Sequence, residues 1–152
     1  MTELSPQKSE RKAWMSLLAK APAAEVVRLW QAHGAAPEFS WLRAPEVGAV
    51  MVRGRAGAVG APFNLGEMSV TRCSLRLADG TVGHAYVQGR DKDKAQIAAL
   101  VDALMQTAEA DGLRKVMLDP LAAGLAEGAT ARAARAAATK VEFFTMVRGE
   151  NA

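Results

Sequence analysis

The chain has 152 residues, half of them apolar and 23% charged, with a formal net charge of +3. That length fits one ordinary domain with a comfortable core, and the composition is that of a soluble globular protein. So small a positive excess makes no case for nucleic acid, and with one cysteine, Cys73, an internal disulfide is excluded and a reducing compartment fits. The two histidines, His33 and His84, give no ligand set for structural zinc. No apolar run approaches the roughly 20 residues of a membrane span. The short run Trp14 to Leu18 ends at Lys20 and follows Glu3 and Glu10, which argues against a signal peptide. A cytoplasmic protein is expected.

Residues 1–8 are polar and read as a flexible N-terminus, and 9–152 as a single domain. From Ser9 a helical period places Trp14, Leu17 and Leu18 on one side. Pro22 suits the first turn of a second helix, which buries Val26, Leu29 and Trp30 and stops at His33-Gly34. The result is an N-terminal helical hairpin. Phe39 to Arg43 then reads as a strand, Pro45-Glu46-Val47-Gly48 as a turn, and Ala49 to Arg55 as a second strand. Gly54 to Pro62 reads as a glycine-rich loop.

The stretch from Glu67 to Asp91 predicts a second hairpin around Asp79-Gly80. With those two as the loop, Leu77 pairs with Val82, Leu75 with His84 and Cys73 with Tyr86, and all six share a core face. The other face carries Val70, Arg72, Ser74 and Arg76, with Gly83, Ala85, Val87 and Gly89 opposite. An antiparallel sheet of about four strands in two hairpins follows.

Asp91 is a good N-cap for a covering helix, with Ile97, Ala98, Val101, Leu104, Met105 and Ala108 at helical spacing and an end near Asp111-Gly112. Leu113 to Leu118 reads as a short strand or a buried turn. Pro120 opens an alanine-rich helix over Leu121 to Thr139. The tail Lys140 to Arg148, read as a strand, is apolar on both faces, as a central or partner-covered strand would be. The fold class is α+β.

Each candidate for chemistry has a plainer reading. The glycine-rich loop lacks the Gly-Lys-Ser/Thr ending of a phosphate loop and leads into a strand, so an ordinary connection is favoured. Arg72, Arg76 and Arg90, with the helix start at Asp91 nearby, could hold an anion, although a solvated face or an interface is favoured. Asp91 is accounted for as a cap. His84 reads as a hydrogen-bonded core histidine, Cys73 as a small buried hydrophobe, and His33 as a contact to a helix end. No carboxylate pair or Ser-His-Asp pattern nominates a catalytic or metal-binding residue.

Several pieces together carry a resemblance: Arg11-Lys12-Ala13-Trp14-Met15, Pro62 to Glu67, Thr71-Arg72-Cys73-Ser74, Asp79 to Gly83, Gly89-Arg90-Asp91-Lys92 and Phe143 to Gly149. In these the chain resembles the PhnG family, a subunit of the bacterial carbon–phosphorus lyase system. The resemblance implies an accessory subunit in a hetero-oligomeric complex with PhnI, the main expected partner, and with PhnH, PhnJ and PhnL. It implies no catalysis by this chain alone and no cofactor bound by it. The alternative is that Arg72, Arg76 or Arg90 contributes directly to a shared active site, touching triphosphate or phosphonate. A nucleic-acid-binding module is a third and least favoured reading. MgATP is the complex's substrate, from which a phosphonate displaces adenine to give a ribose 1-phosphonate 5-triphosphate. PhnJ later breaks the C–P bond. Ala58 stands where the family pattern has glycine, and Lys94 where relatives often carry histidine, so no histidine role can be carried to that helix start. The surfaces that ask for a partner are the tail, with Phe143, Phe144, Met146, Val147 and Arg148 as its interface, the alanine-rich helix and the flat hairpin face. No membrane or nucleic-acid partner is expected; self-association of the isolated chain is left open.

Overall fold

The computed structural model describes residues 6–35 and 37–141. Two helices come first, α1 (Pro6–Lys20) and α2 (Ala23–His33). Pro22 precedes α2 as expected, and Gly34 closes it with φ of 72°, a left-handed cap in which its N–H donates to Trp30 O. The sheet is three antiparallel strands in the order β1 (Phe39–Arg55), β2 (Pro62–Leu77), β3 (Val82–Gln88). Four further helical pieces follow the sheet among the described residues. They are α3 (Lys92–Leu104), α4 (Ala110–Leu113), a π-helical turn (Arg114–Leu118) and α5 (Asp119–Ala138).

The α+β class holds, with two corrections to the sheet. The expected turn at Pro45 to Gly48 does not form, and the two short strands are one strand of 17 residues. The register against β2 slips between Trp41 and Arg43 and again between Arg43 and Glu46. Pro45 lies inside the second irregularity, where its missing N–H costs no ladder bond, so the strand bends and continues instead of reversing. At the far end the expected loop shrinks to a short 3₁₀ turn (Ala56–Ala58), and β2 already begins at Pro62.

The second correction is a register shift of one residue in the β2–β3 hairpin. Arg76 pairs with Val82, Ser74 with His84 and Arg72 with Tyr86. The loop holds three residues, Ala78, Asp79 and Gly80, because Leu77 N–H donates to Thr81 O at 2.9 Å. Gly80 takes φ of 89°, and the Asp79 carboxylate accepts from Thr81 N–H at 2.8 Å. Three-residue loops with glycine at the left-handed position are a common hairpin solution. A slip of one residue exchanges the faces of β3. Cys73, Leu75 and Leu77 are buried as expected, but their companions are Ala85 and Val87, with Gly83 also buried. His84 and Tyr86 face outward.

The core lies between β2/β3 and α3, with α1 packed against both β3 and α3, and α2 against α3. Helix α3 is buried almost all round, and its alanines at 95, 98, 99 and 103 permit close approach. Gly83 is where strand and helix meet: a Cβ there would lie 2.0 Å from Ala99 O. The helix is N-capped by Asp91, whose carboxylate accepts from Lys94 N–H at 2.8 Å, as expected. It ends at Leu104, however, earlier than Asp111-Gly112, and those two residues instead lie inside α4. Leu113 to Leu118 is helical, neither strand nor turn; Leu113, Met117 and Leu118 bury against the core while Val116 stays exposed. The alanine-rich helix forms as expected, with Leu121 its single buried residue.

Candidate functional site

The three arginines proposed from sequence do not converge. Arg72 and Arg76 share the outer face of β2, four residues apart, which is about 13 Å along a strand. Arg90 follows Gly89, whose N–H donates to Ser69 O, and so sits at the other end of the hairpin, about 23 Å along β2 from Arg76. Arg72 is already engaged: its Nε donates to Glu46 Oε1 at 2.8 Å, and Arg43 donates to the same oxygen. The hydrogen bonds from Arg43 and then Arg72 hold the Glu46 carboxyl below its usual range. Beside this triad Gly48, Val70 and Tyr86 close a depression of about 210 Å³. Val70 is buried there, on the face away from the main core.

Tyr86, half-exposed, also borders a second, more open groove of about 420 Å³ against α1, where Lys8, Lys12, Met15 and Ala19 line the other side. Its helical wall comes from α1 residues at i, i+4, i+7 and i+11, which lie on one face. The outer sheet face is therefore polar and basic, as expected for Arg72 and Arg76. The flipped register adds His84 and Tyr86 to it.

The most organised polar cluster was not visible as a site in the sequence. Asp102, fully buried in the last turn of α3, accepts four hydrogen bonds. Its Oδ1 takes Arg11 Nε at 3.1 Å and Trp14 Nε1 at 2.9 Å. Its Oδ2 takes Arg11 Nη2 at 2.7 Å and the His84 backbone N–H at 2.8 Å. Gln106 Nε2 adds a bond to Val82 O at 3.0 Å. Together these side chains occupy the outward N–H and C=O of β3 where a fourth strand would bind. The arrangement satisfies a buried charge and blunts an edge. Its signal was a lone carboxylate inside the apolar run Ile97 to Met105, with Arg11 and Trp14 at i, i+3 on α1.

Two further buried groups serve the fold. Cys73 is buried as expected; its Sγ donates to Ala95 O at 3.2 Å, and desolvation pushes its thiol up to about 11. Lys94 is only 3% exposed, and its Nζ donates to Ala19 O at 3.0 Å, in the last turn of α1. Burial lowers its pKa, partly opposed by the Asp91 charge. His33 packs its ring on Trp30 at 6.0 Å, in the last turn of α2. The proposed interface residues Phe143, Phe144, Met146, Val147 and Arg148 lie outside the described residues. Among the described residues, no group of three or more His, Cys, Asp or Glu side chains could hold a metal ion, and no helix is long and apolar enough to cross a membrane.

Comparison with known proteins gives a concordant result. Residues 9–149 match the family model described as "Phosphonate metabolism protein PhnG". A relative from Rhizobium meliloti (strain 1021), named "Alpha-D-ribose 1-methylphosphonate 5-triphosphate synthase subunit PhnG", is 44% identical over 143 residues. The alignment covers 94% of this chain and 92% of that protein.

Proposed function

Because the chain belongs to the PhnG family of phosphonate metabolism proteins, we propose that it is a subunit of a ribose 1-methylphosphonate 5-triphosphate synthase and supports its assembly. The observation that carries this reading is the near-full-length match to a relative named as a subunit of that synthase. The structure supports the accessory part. Displacing adenine from C1′ passes through an oxocarbenium-like state that calls for a placed carboxylate and an acid for the leaving base. Here the best-placed carboxylate, Asp102, has both oxygens committed to Arg11, Trp14 and His84, and Glu46 is committed to Arg43 and Arg72. These groups hold the fold and its outer face together. In this reading PhnI, with PhnH and PhnL, supplies the chemistry on MgATP, and PhnJ acts on the product.

The C-terminal tail is the first anchor in this reading. Read as a strand, its sequence would put Phe143 and Val147 on one side and Phe144 and Met146 on the other. The test measures adenine released from MgATP and a phosphonate by the chain alone, by its companions alone, and by all together. Release is expected only when all are present. Undiminished release without this chain would overturn the reading. Phe143→Ala with Phe144→Ala is expected to free the chain from PhnI in a pull-down.

A further inference from the structure

Beyond the last pairing with β3, strands β1 and β2 run on alone. Gly89 N–H bonds Ser69 O, and from there the ladder continues through Val50 opposite Met68 and Met51 opposite Glu67 to Arg55 opposite Pro62. Seven residue pairs' worth of β1, about 23 Å of strand, project as a two-stranded arm. Among the described residues none from Ser40 to Ser69 is buried, and burial resumes at Val70 and Thr71, at the base of the arm. A two-stranded ribbon is marginal in water unless something covers it.

The arm's side chains are those of a covered strand. Met51 is 56% exposed, Phe63 46%, Leu65 65% and Val59 at the tip 91%. One face is apolar: Val50, Val52 and Met68 share it with Phe63 and with Leu65, whose side chain lies beside Gly54. Met51 lies on the other face among Arg53, Arg55, Asn64 and Glu67. The tip from Arg53 to Leu65 carries two arginines and no acid. Arg55 Nη1 is spent on Gly60 O at 3.1 Å, holding the turn closed. Pairing this tip with that of a second copy would set like charges together, which disfavours self-association through it.

We infer that the arm of residues 49–69 is a docking element that lays its apolar face in an apolar groove with an acidic rim on another subunit of the synthase. The apolar face needs an apolar wall to lie on, and the positive tip needs acidic residues at its end. The inference rests on the subunit reading above and adds to it the surface used, independent of the tail.

The test compares the wild-type chain with a Met51→Ser, Phe63→Ser, Leu65→Ser variant and with Arg53→Glu, each co-expressed with the companion subunits, PhnI first. The triple variant is expected to keep the wild-type urea midpoint and to bind about tenfold more weakly or worse, as when buried apolar anchors are removed. Arg53→Glu should weaken binding less, with the difference shrinking at high salt. Should the triple variant prove unstable, a chain whose arm is shortened to a two-residue turn between Ala49 and Ser69 reads the same loss. Wild-type affinity in the arm variants would overturn the inference and leave the subunit reading standing. Failure of the wild-type chain to assemble would overturn both. An isolated chain that is dimeric by light scattering, and monomeric with the triple change, would make a second copy the occupant and also overturn it.

Discussion

The two edges of the sheet are built on opposite principles. The edge of β3 is sealed by side chains of the same chain: Asp102, Arg11 and Gln106 take the hydrogen-bonding groups of Val82 and His84. The edge of β1, 17 residues and about 56 Å long, has no strand beside it among the described residues. It lacks the lysines that commonly guard such edges, and Pro45 interrupts it once. One side of the molecule is finished by itself, and the other is left for something else to finish. The same division separates α3, buried nearly all round, from α5, where Leu121 is the lone buried residue.

The sealed edge is the place where a single change should cost most. Asp102→Ala leaves the Trp14 indole N–H and the His84 amide buried without acceptors and Arg11 without its partner. A loss of about 3 kcal/mol is expected, somewhat below a fully buried pair because Arg11 is partly solvated. Urea unfolding of the two proteins reads it. A difference under about 1 kcal/mol would mean the cluster is decorative. Next comes Gly83→Ala, whose Cβ would sit 2.0 Å from Ala99 O and 2.9 Å from Ala103 Cβ. Backbone must move apart from backbone, so about 2–3 kcal/mol is expected by the same measurement.

These two positions also mark how far the sequence could be read. Periodicity located α1, α2, the start of α3 and the buried face of β2, because each rests on local spacing that tertiary contacts reinforce. Asp79-Gly80 marked the hairpin but not its register. Whether Gly80 is the second or the third loop residue depends on where its positive φ falls, and that one residue decides whether His84 or Ala85 enters the core. The turn expected at Pro45 failed for a similar reason: proline forbids a ladder bond, which a bulge tolerates as readily as a turn. A lone carboxylate in the apolar run of α3 marks Asp102 as needing partners but not which ones, since Arg11 and Trp14 are 91 and 88 residues away. Of the anion site drawn from Arg72, Arg76 and Arg90, residue type was legible and convergence was not, since distance along a sheet follows register.

A smaller effect sharpens the comparison on the buried side through pH. Lys94 ionises at its ordinary 10.5 when unfolded and lower when folded, because burial penalises its charge. Between those two values the unfolded chain holds the additional proton, so this group makes stability rise with pH in that window. Lys94→Met removes the titration. Wild type should therefore gain stability relative to Lys94→Met as pH climbs from neutral toward 10.5, read as the difference in urea midpoints. A difference that falls over that range would contradict the buried ammonium.

The open side should respond least of all. Gly124 and Gly128 sit inside α5, where an added Cβ at the first meets nothing within 4 Å and at the second only Arg132 Nη1 at 3.6 Å. Alanine at both positions favours the helix by about 1 kcal/mol per site. If α5 beyond Leu121 is a projection that frays apart from the body, that gain appears as more helix by circular dichroism while the urea midpoint of the core stays put. If the midpoint instead rises by the full amount, α5 unfolds together with the sheet and α3. The helix would then be part of the sealed half, and the division drawn from its exposure would have to be moved to the arm alone. The local free energy of a helix and its coupling to the core are separate quantities, and only a change that touches no neighbour tells them apart.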